Sequence, residues 1–296
     1  MNDARDAIND LQDSLLHELY DEVHQNFQSA FEGIIYGTEH LDRMTADSLN
    51  FERAREQLKM LEKSTQSNIS GRKILEVGCG HGLTVTLARL EFGAESFGIE
   101  PGQEEFSGAY SISQKVLASA SISEKIILSA SGESIPYPDQ TFDFVFSSNV
   151  LEHVNDPQKV IEESLRVLKP GGFLHFIVPN YGSWWEGHYG ILWIPNLSKS
   201  LAKLYVRLCN RDPSFIDTLQ FINRQRLEKI LRPYSKQIKI IGWGVEVWKE
   251  RINALNVPEY AALNRLKNLL DIVYKMKLVN TATWVGSLLH WETPII

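Results

Sequence analysis

A chain of 296 residues with 43% hydrophobic and 10% aromatic content can bury a substantial core, which excludes a disordered or fibrous polypeptide. Its formal charge of −7 excludes a surface that binds nucleic acid as a whole. The charge is uneven, however: residues 180–236 carry nine Lys/Arg against four Asp/Glu, which leaves the remainder strongly acidic. No apolar run approaches the roughly 18–20 residues of a membrane span, so stable membrane insertion is not expected. The acidic N-terminus lacks a charged-then-apolar signal pattern, and Cys79 and Cys209 lie far apart. A reduced, cytoplasmic compartment is therefore expected, with no metal, because no acid/His/Cys group has ligand spacing along the chain.

In chain order, residues 1–70 read as an N-terminal helical cap. Ile8, Leu11, Leu15 and Leu19 recur at helical spacing, Leu58 and Leu61 continue it, and Gly33 and Gly37 suggest a turn between helices. From Ser70–Gly71 strands and helices alternate through residue 180. Strands are predicted at residues 73–77, 94–99, 126–128, 142–147 and 173–178. Helices are predicted at 83–92, 103–117 and 157–168, the last stopped by Pro170–Gly171–Gly172. Such alternation implies a parallel sheet covered on both faces, a doubly wound α/β fold. Residues 181–236 break the pattern and read as a helical, aromatic insert. Residues 237–296 return to it, with strand candidates at 238–242 and 290–296 around a long helical pattern at 260–277.

The most informative stretch is ILEVGCGHG, residues 74–82. Gly78, Gly80 and Gly82 follow a strand and precede a helix, where glycine lets the backbone turn and approach a ligand with no Cβ in the way. The helix start adds unpaired N–H groups. A dinucleotide site would need G-x-G-x-x-G, but Leu83 holds the third-glycine position, and the spacing here is G-x-G-x-G. Glu76, two residues before the first glycine, is poorly suited to a pyrophosphate and well suited to a cationic amino group. Glu100, at the end of the second strand, can accept both hydroxyls of a ribose.

These residues, with the second block FDFVFSSNVLEHVNDPQKVIEESLRVLKPGGFLHFIVPN at 142–180, resemble the class I S-adenosylmethionine-dependent methyltransferases, in particular the type 11 group with its E-x-G-x-G-x-G motif. The resemblance covers roughly residues 71–180. It implies a Rossmann-like, seven-stranded, mostly parallel sheet whose last strand is antiparallel, and S-adenosylmethionine as cofactor. It further implies that Glu76 and the backbone around Gly78 and Gly80 hold the methionine end, that Gly82 belongs to the same cofactor-binding loop, that Glu100 binds the ribose, and that Asn149 lines the methionine portion. Ser131, Gly132 and Glu133 fall where the family has an Asp-Ala-Glu-like run facing adenine. Ser131 replaces the usual acid, so Glu133 either serves the adenine or is solvated. Asp143 has a structural role near the start of its strand.

For the acceptor, the segment YGSWWEGHYGILW at 181–193 supplies aromatic walls with Glu186, His188 and Tyr189. Aromatic faces suit a sugar ring or another flat acceptor. His188 titrates in the range a base requires. Glu186 and His153 are the other base candidates, each with an alternative as acceptor ligand or turn-orienting group. The insert, including RDPSFIDTL at 211–219, weakly resembles methyltransferases of bacterial surface-glycan and related small-molecule pathways. That suggests O-methylation of a small, sugar-like acceptor, and the local positive charge would suit a phosphorylated one.

Leu197, Leu201, Leu204 and Leu208 alternate with Lys199, Lys203 and Arg207. This pattern reads first as a lid helix packing its leucines inward, and second as a basic face meeting a membrane or a lipid-linked acceptor. The N-terminal helices read as a substrate cap or as the arm of a homodimer. The competing function is a catalytically silent partner or regulator that keeps the cofactor fold.

Overall fold

The computed structural model describes residues 2–31, 38–102, 107–253, 275, 279–292 and 294–295. Its backbone falls into two compact units, one made of Met1–Val150 with Asp156–Phe176 and the other of Leu151–Asn155 with Ile177–Ile296.

The first unit is built on strands β1 (Lys73–Val77), β2 (Glu95–Glu100), β3 (Ile127–Ser129), β4 (Phe142–Ser148) and β5 (Leu168–Ile177), in the spatial order β3-β2-β1-β4-β5. The pairings β1–β2, β1–β4 and β2–β3 are all parallel. Leu75 in the central strand lies between Phe97 and Val145, and β1 and β4 are nearly continuous in buried residues. Strands covered on both faces read as apolar runs, so the short ILEV and FDFVF segments were legible as strands without alternation. The chain winds outward from β1 to β3 and returns to the other side of β1 with β4. In such an order a crevice opens at the carboxyl ends of β1 and β4, where doubly wound sheets bind their ligands.

Helices α1 (Asn2–Ala30), α2 (Thr38–Ser48) and α3 (Phe51–Thr65) precede the sheet, and α4 (Leu83–Leu90), α5 (Ser107–Ser119) and α6 (Pro157–Val167) alternate with its strands. Ile8, Leu15, Leu19 and Val23 of α1 and Leu58 and Leu61 of α3 share one hydrophobic core with Ile74, Leu87, Val116 and Phe144. The N-terminal helices therefore complete the packing of this unit. Local chemistry sets the helix ends. Asn50 accepts the Glu52 N–H to start α3, and Gln66 in the left-handed region ends it. Asp156 accepts from the Gln158 and Lys159 amides to start α6, with Pro157 at the first helical position.

In the second unit, β6 (Trp185–Glu186) and β7 (Ile191–Leu192) form an antiparallel hairpin, followed by α7 (Lys199–Leu208), α8 (Arg224–Leu231), α9 (Val245–Asn253) and α10 (Val279–Leu288).

Several expectations are corrected. Among the described residues the main sheet has five of the seven expected strands. Residues 238–242 form no strand: Ile240 and Ile241 are about half exposed, with no ladder to pair into. Among the described residues the antiparallel closing strand is represented by the bridge between Val178 and Ile295. Strand β5 starts five residues before the predicted Phe173, directly after α6. It can include Pro170 because it lies at the end of the strand order, and an edge strand spares the proline a ladder hydrogen bond. The leucines of α7 point outward: Leu201, Leu204 and Leu208 are 56%, 53% and 78% exposed, while Ala202 and Val206 are fully buried. The smaller residues let the helix approach its unit closely, so the inward-leucine reading does not hold. The turn at Gly33 and Gly37, and residues 260–277 apart from Lys275, lie outside the described residues. No described helix is long and apolar enough to cross a membrane.

Candidate functional site

The glycine loop follows β1 directly. Gly78, Gly80 and Gly82 all have positive φ (70°, 52° and 76°), the left-handed backbone that glycine adopts without strain. The three differ in their surroundings. A Cβ on Gly78 would stand 2.4 Å from Val150 Cγ2, and one on Gly82 would stand 2.7 Å from Ile127 Cδ1. A Cβ on Gly80 would meet nothing within 4 Å. Gly80 thus faces open space, whereas its neighbours fix the loop by close packing. The amides of Gly78 and Cys79 both donate to Ile99 O, at 2.9 and 3.0 Å. Cys79 packs its sulfur where Gly98 lacks a side chain, and burial pushes its thiol well up, so it is an inert filler.

The two flanking acids take different roles. Glu100 Oε2 accepts the Gly80 N–H at 2.8 Å, so this carboxylate orders the loop. Glu76 is buried, and its Oε2 has no hydrogen-bond partner. Burial pushes its carboxyl well up, against the Thr84 hydroxyl and the Val85 amide at the start of α4, which stabilise the charged form. A cationic group beside that orphaned oxygen would restore the charge. An orphaned buried carboxylate oxygen, an open glycine and an acid at the end of the next strand fit the aminoacyl and ribose parts of S-adenosylmethionine.

The other expected cofactor residues lie at the carboxyl ends of β3 and β4. Asn149 sits at φ 56°, a conformation asparagine tolerates, and is exposed beside Ser148, whose Oγ accepts its Nδ2 at 3.4 Å. Gly132 is packed against Val77 and Val160, where a Cβ would meet side-chain carbons at 3.0–3.3 Å. Ser131 Oγ donates to Glu133, and Glu133 Oε1 also accepts the Asp156 N–H at 3.4 Å. Glu133 is therefore engaged in ordering the loop before α6. Asp143 accepts the Lys73 amide at 2.9 Å and the Lys169 ammonium at 3.0 Å, as a strand-start brace.

One residue of this region escaped the sequence reading. Gln57 of α3 donates to Ser148 Oγ at 3.1 Å, and its Oε1 lies 3.4 Å from Thr84 Oγ1, bridging the end of β4 to the start of α4. A polar residue in an amphipathic helix carries no local signal for such a task.

The acceptor candidates assemble within the second unit. The β6–β7 hairpin turns through Gly187–Gly190, with Gly190 at φ 61°, and folds His188 back on Glu186. Glu186 Oε1 accepts from His188 Nδ1 at 2.7 Å and from Tyr181 Oη at 3.1 Å, while its Oε2 accepts the Tyr189 N–H at 2.7 Å. Burial alone would raise the Glu186 carboxyl, but His188 and these donors hold it below its usual value. Burial alone would lower His188, but Glu186 outweighs it and the net displacement is upward.

His188 Nε2 lies 3.2 Å from His153 Nε2, and both rings pack on Phe215, with centroids 5.2 and 6.0 Å away. Burial and the neighbouring His188 hold His153 down at about 3. Next to it, Glu152 is completely buried and neither of its oxygens has a hydrogen-bond partner. Burial pushes its carboxyl up to about 7, against the pull of His188. Gln220 holds this loop by donating its amide to Glu152 O at 2.7 Å and its Nε2 to Asn155 O at 3.2 Å.

All three base candidates, Glu186, His188 and His153, thus meet in one cluster, with Glu152, Tyr181 and Phe215 added by the fold. Glu186 accepts from three donors and acts as the group that orients His188. The expectation of no acid/His group with ligand spacing holds along the chain but not in space: ligand atoms of Glu152, His153 and His188 all lie within 4.8 Å of one another.

Residues 75–176 match the family model described as a methyltransferase domain. An uncharacterized protein of Mycobacterium tuberculosis is 36% identical over 124 residues, 41% of this chain and 40% of that protein. An uncharacterized methyltransferase of Schizosaccharomyces pombe is 37% identical over 105 residues, 34% of this chain and 38% of its own length. The ubiquinone biosynthesis O-methyltransferase of Pseudomonas fluorescens is 34% identical over 114 residues, 38% of this chain and 47% of its own length. The similarity thus spans less than half of each of these relatives.

Proposed function

We propose, for a chain whose residues 75–176 are a class I S-adenosylmethionine-dependent methyltransferase domain of the type 11 group, that the whole protein methylates a hydroxyl oxygen of a small, sugar-like acceptor. The observation that carries the reading is the His188 imidazole, oriented by Glu186 at 2.7 Å inside a buried polar cluster that the glycine-loop packing does not need.

When bound, S-adenosylmethionine supplies a methyl carbon activated by positive sulfur. The chain's own part is alignment, exclusion of water and help for the nucleophile. Glu76, Gly80 and Glu100 would seat the cofactor, with Asn149 at its methionine portion and residues 131–133 near its base. In the chain, Glu152 and His153 follow Asn149 by three and four residues. Together with Glu186 and His188 they form the group that loosens the acceptor's hydroxyl proton, with His188 at its centre. The half-exposed Trp184, edge-on to Trp291 at 5.2 Å, offers an aromatic face of the kind that stacks on sugar rings. The excess positive charge of residues 180–236 suits a phosphate on the acceptor.

The test is release of S-adenosylhomocysteine in step with methylated product, across a panel of free, phosphorylated and lipid-linked sugars and small phenols. Product carrying an O-methyl group is expected. His188→Ala should depress turnover far more than cofactor affinity. Cofactor binding with no release on any acceptor would favour a catalytically silent partner, and methyl on nitrogen or carbon would overturn the oxygen assignment.

A further inference from the structure

We infer that Glu152, His153 and His188 form a binding site for one divalent, zinc-like transition-metal ion. Two imidazole Nε2 atoms face each other at 3.2 Å. Nitrogen ligands at 2.0–2.1 Å from a tetrahedral ion stand about 3.3 Å apart, so an ion can seat between these rings with little movement. His188 Nδ1 is held by Glu186 at 2.7 Å, which leaves Nε2 as the ligand atom. A carboxylate behind a ligating histidine is the usual outer-shell support of such a centre. Tyr181 Oη and the Tyr189 amide fix that carboxylate in turn.

The third donor is Glu152, fully buried, with both oxygens lacking hydrogen bonds. A proton shared between the imidazoles would explain their contact and, with His153 Nε2 3.9 Å from Glu152 Oε1, would set a positive charge near this carboxylate, but it gives neither of its oxygens a hydrogen bond. Protonating Glu152 removes its charge yet still leaves both oxygens without a hydrogen bond at the distances observed. A cation satisfies all three groups at once.

The donor set selects the ion. Two imidazoles and one carboxylate suit zinc, cobalt, nickel or ferrous iron, whereas magnesium and calcium prefer all-oxygen shells. Three protein ligands leave a fourth position, the arrangement of catalytic centres. Resting on the proposed O-methylation, an acceptor hydroxyl in that position would be acidified by the ion and release its proton to solvent water. His188 then acts as a ligand, with its Nε2 lone pair committed to the metal.

The test uses the full chain without a polyhistidine tag, stripped with chelator and titrated with Co(II) and Zn(II). One equivalent per chain is expected, with the visible bands of tetrahedral Co(II) bleached by Zn(II). Glu152→Gln, which keeps the side-chain shape, and His153→Ala should abolish the bands. Glu186→Gln should weaken affinity by about 10–100-fold, and His17→Ala, an exposed histidine, should leave it unchanged. Binding that survives both Glu152→Gln and His153→Ala, or no stoichiometric binding to the folded wild type, overturns the site. S-adenosylhomocysteine release measured with and without metal separates the two proposals. Binding with turnover indifferent to the metal sustains the site and refutes its part in the reaction. Turnover in a protein that binds no metal refutes the site alone.

Discussion

The Nε2 atoms of His153 and His188 stand 3.2 Å apart although the residues are separated by 35 positions in the chain. That approach depends on Glu186, which sits at the end of β6 and draws His188 back across the hairpin turn. The carboxylate is buried and accepts from three donors, so it is a structural keystone for the cluster as well as an electrostatic one.

Glu186→Ala should therefore be costly. It strands the His188 and Tyr181 donors and the Tyr189 amide in a buried site, and breaking a buried pair typically costs about 3–5 kcal/mol. Urea unfolding should show a loss of that order, with Glu186→Gln intermediate. A loss under about 1 kcal/mol, the value of an exposed pair, would contradict the network.

The glycine loop predicts a separation of stability from binding. Gly78→Ala drives a methyl group to 2.4 Å from Val150, an overpacking cost of about 1–3 kcal/mol, and at φ 70° it also pays the left-handed backbone penalty of about 1–2 kcal/mol. Gly80→Ala meets no atom within 4 Å and costs only the left-handed backbone penalty of about 1–2 kcal/mol. It should still reduce S-adenosylhomocysteine affinity by about tenfold or more, and Gly80→Arg should abolish it. Calorimetric titration beside thermal melting checks both, and unchanged affinity in Gly80→Arg would refute the cofactor placement.

Helix α7 offers a test of which face is buried. Leu201→Gln and Leu204→Gln should each change stability by no more than about 0.5 kcal/mol, because both side chains are more than half exposed. Val206→Asp places a carboxylate at a fully buried position and should cost several kcal/mol. The reverse ranking would restore the inward-leucine arrangement.

Arg166 pins the loop after β3 to α6, donating to Ile135 O, Tyr137 O, Asp139 and Glu163. Hydrogen bonds from this guanidinium hold the Glu163 carboxyl below its ordinary 4.5, against the desolvation that opposes them. A depressed carboxylate contributes stability above its unfolded pKa and loses it as pH falls through the folded one. The partners are partly exposed, so Glu163→Gln should cost about 1 kcal/mol at pH 7. The gap to wild type should close as the pH drops below 4.5 into the acid range. A gap independent of pH would mean that the charge is irrelevant.

The sheet and the glycine loop were legible because their determinants are contiguous. Strand, turn and helix start all fall within residues 74–90, and each piece answers to a local rule: an apolar run, a glycine at positive φ, a helical repeat. The capping of α6 by Asp156 and Pro157 is legible on the same grounds. The strand predicted at residues 238–242 failed because an apolar run predicts a strand only when a neighbouring ladder exists to receive it.

What the sequence alone determined about this protein is a parallel α/β core with a three-glycine loop at the tip of its first strand. The tertiary structure decided which face of α7 is buried, that Gln57 bridges β4 to α4, and that Glu152, His153 and His188 converge. The reason is physical: a loop's chemistry is set by neighbours in the chain, while helix orientation and side-chain convergence are set by packing between segments far apart. Burial then strips water from groups that no local pattern marks as partners.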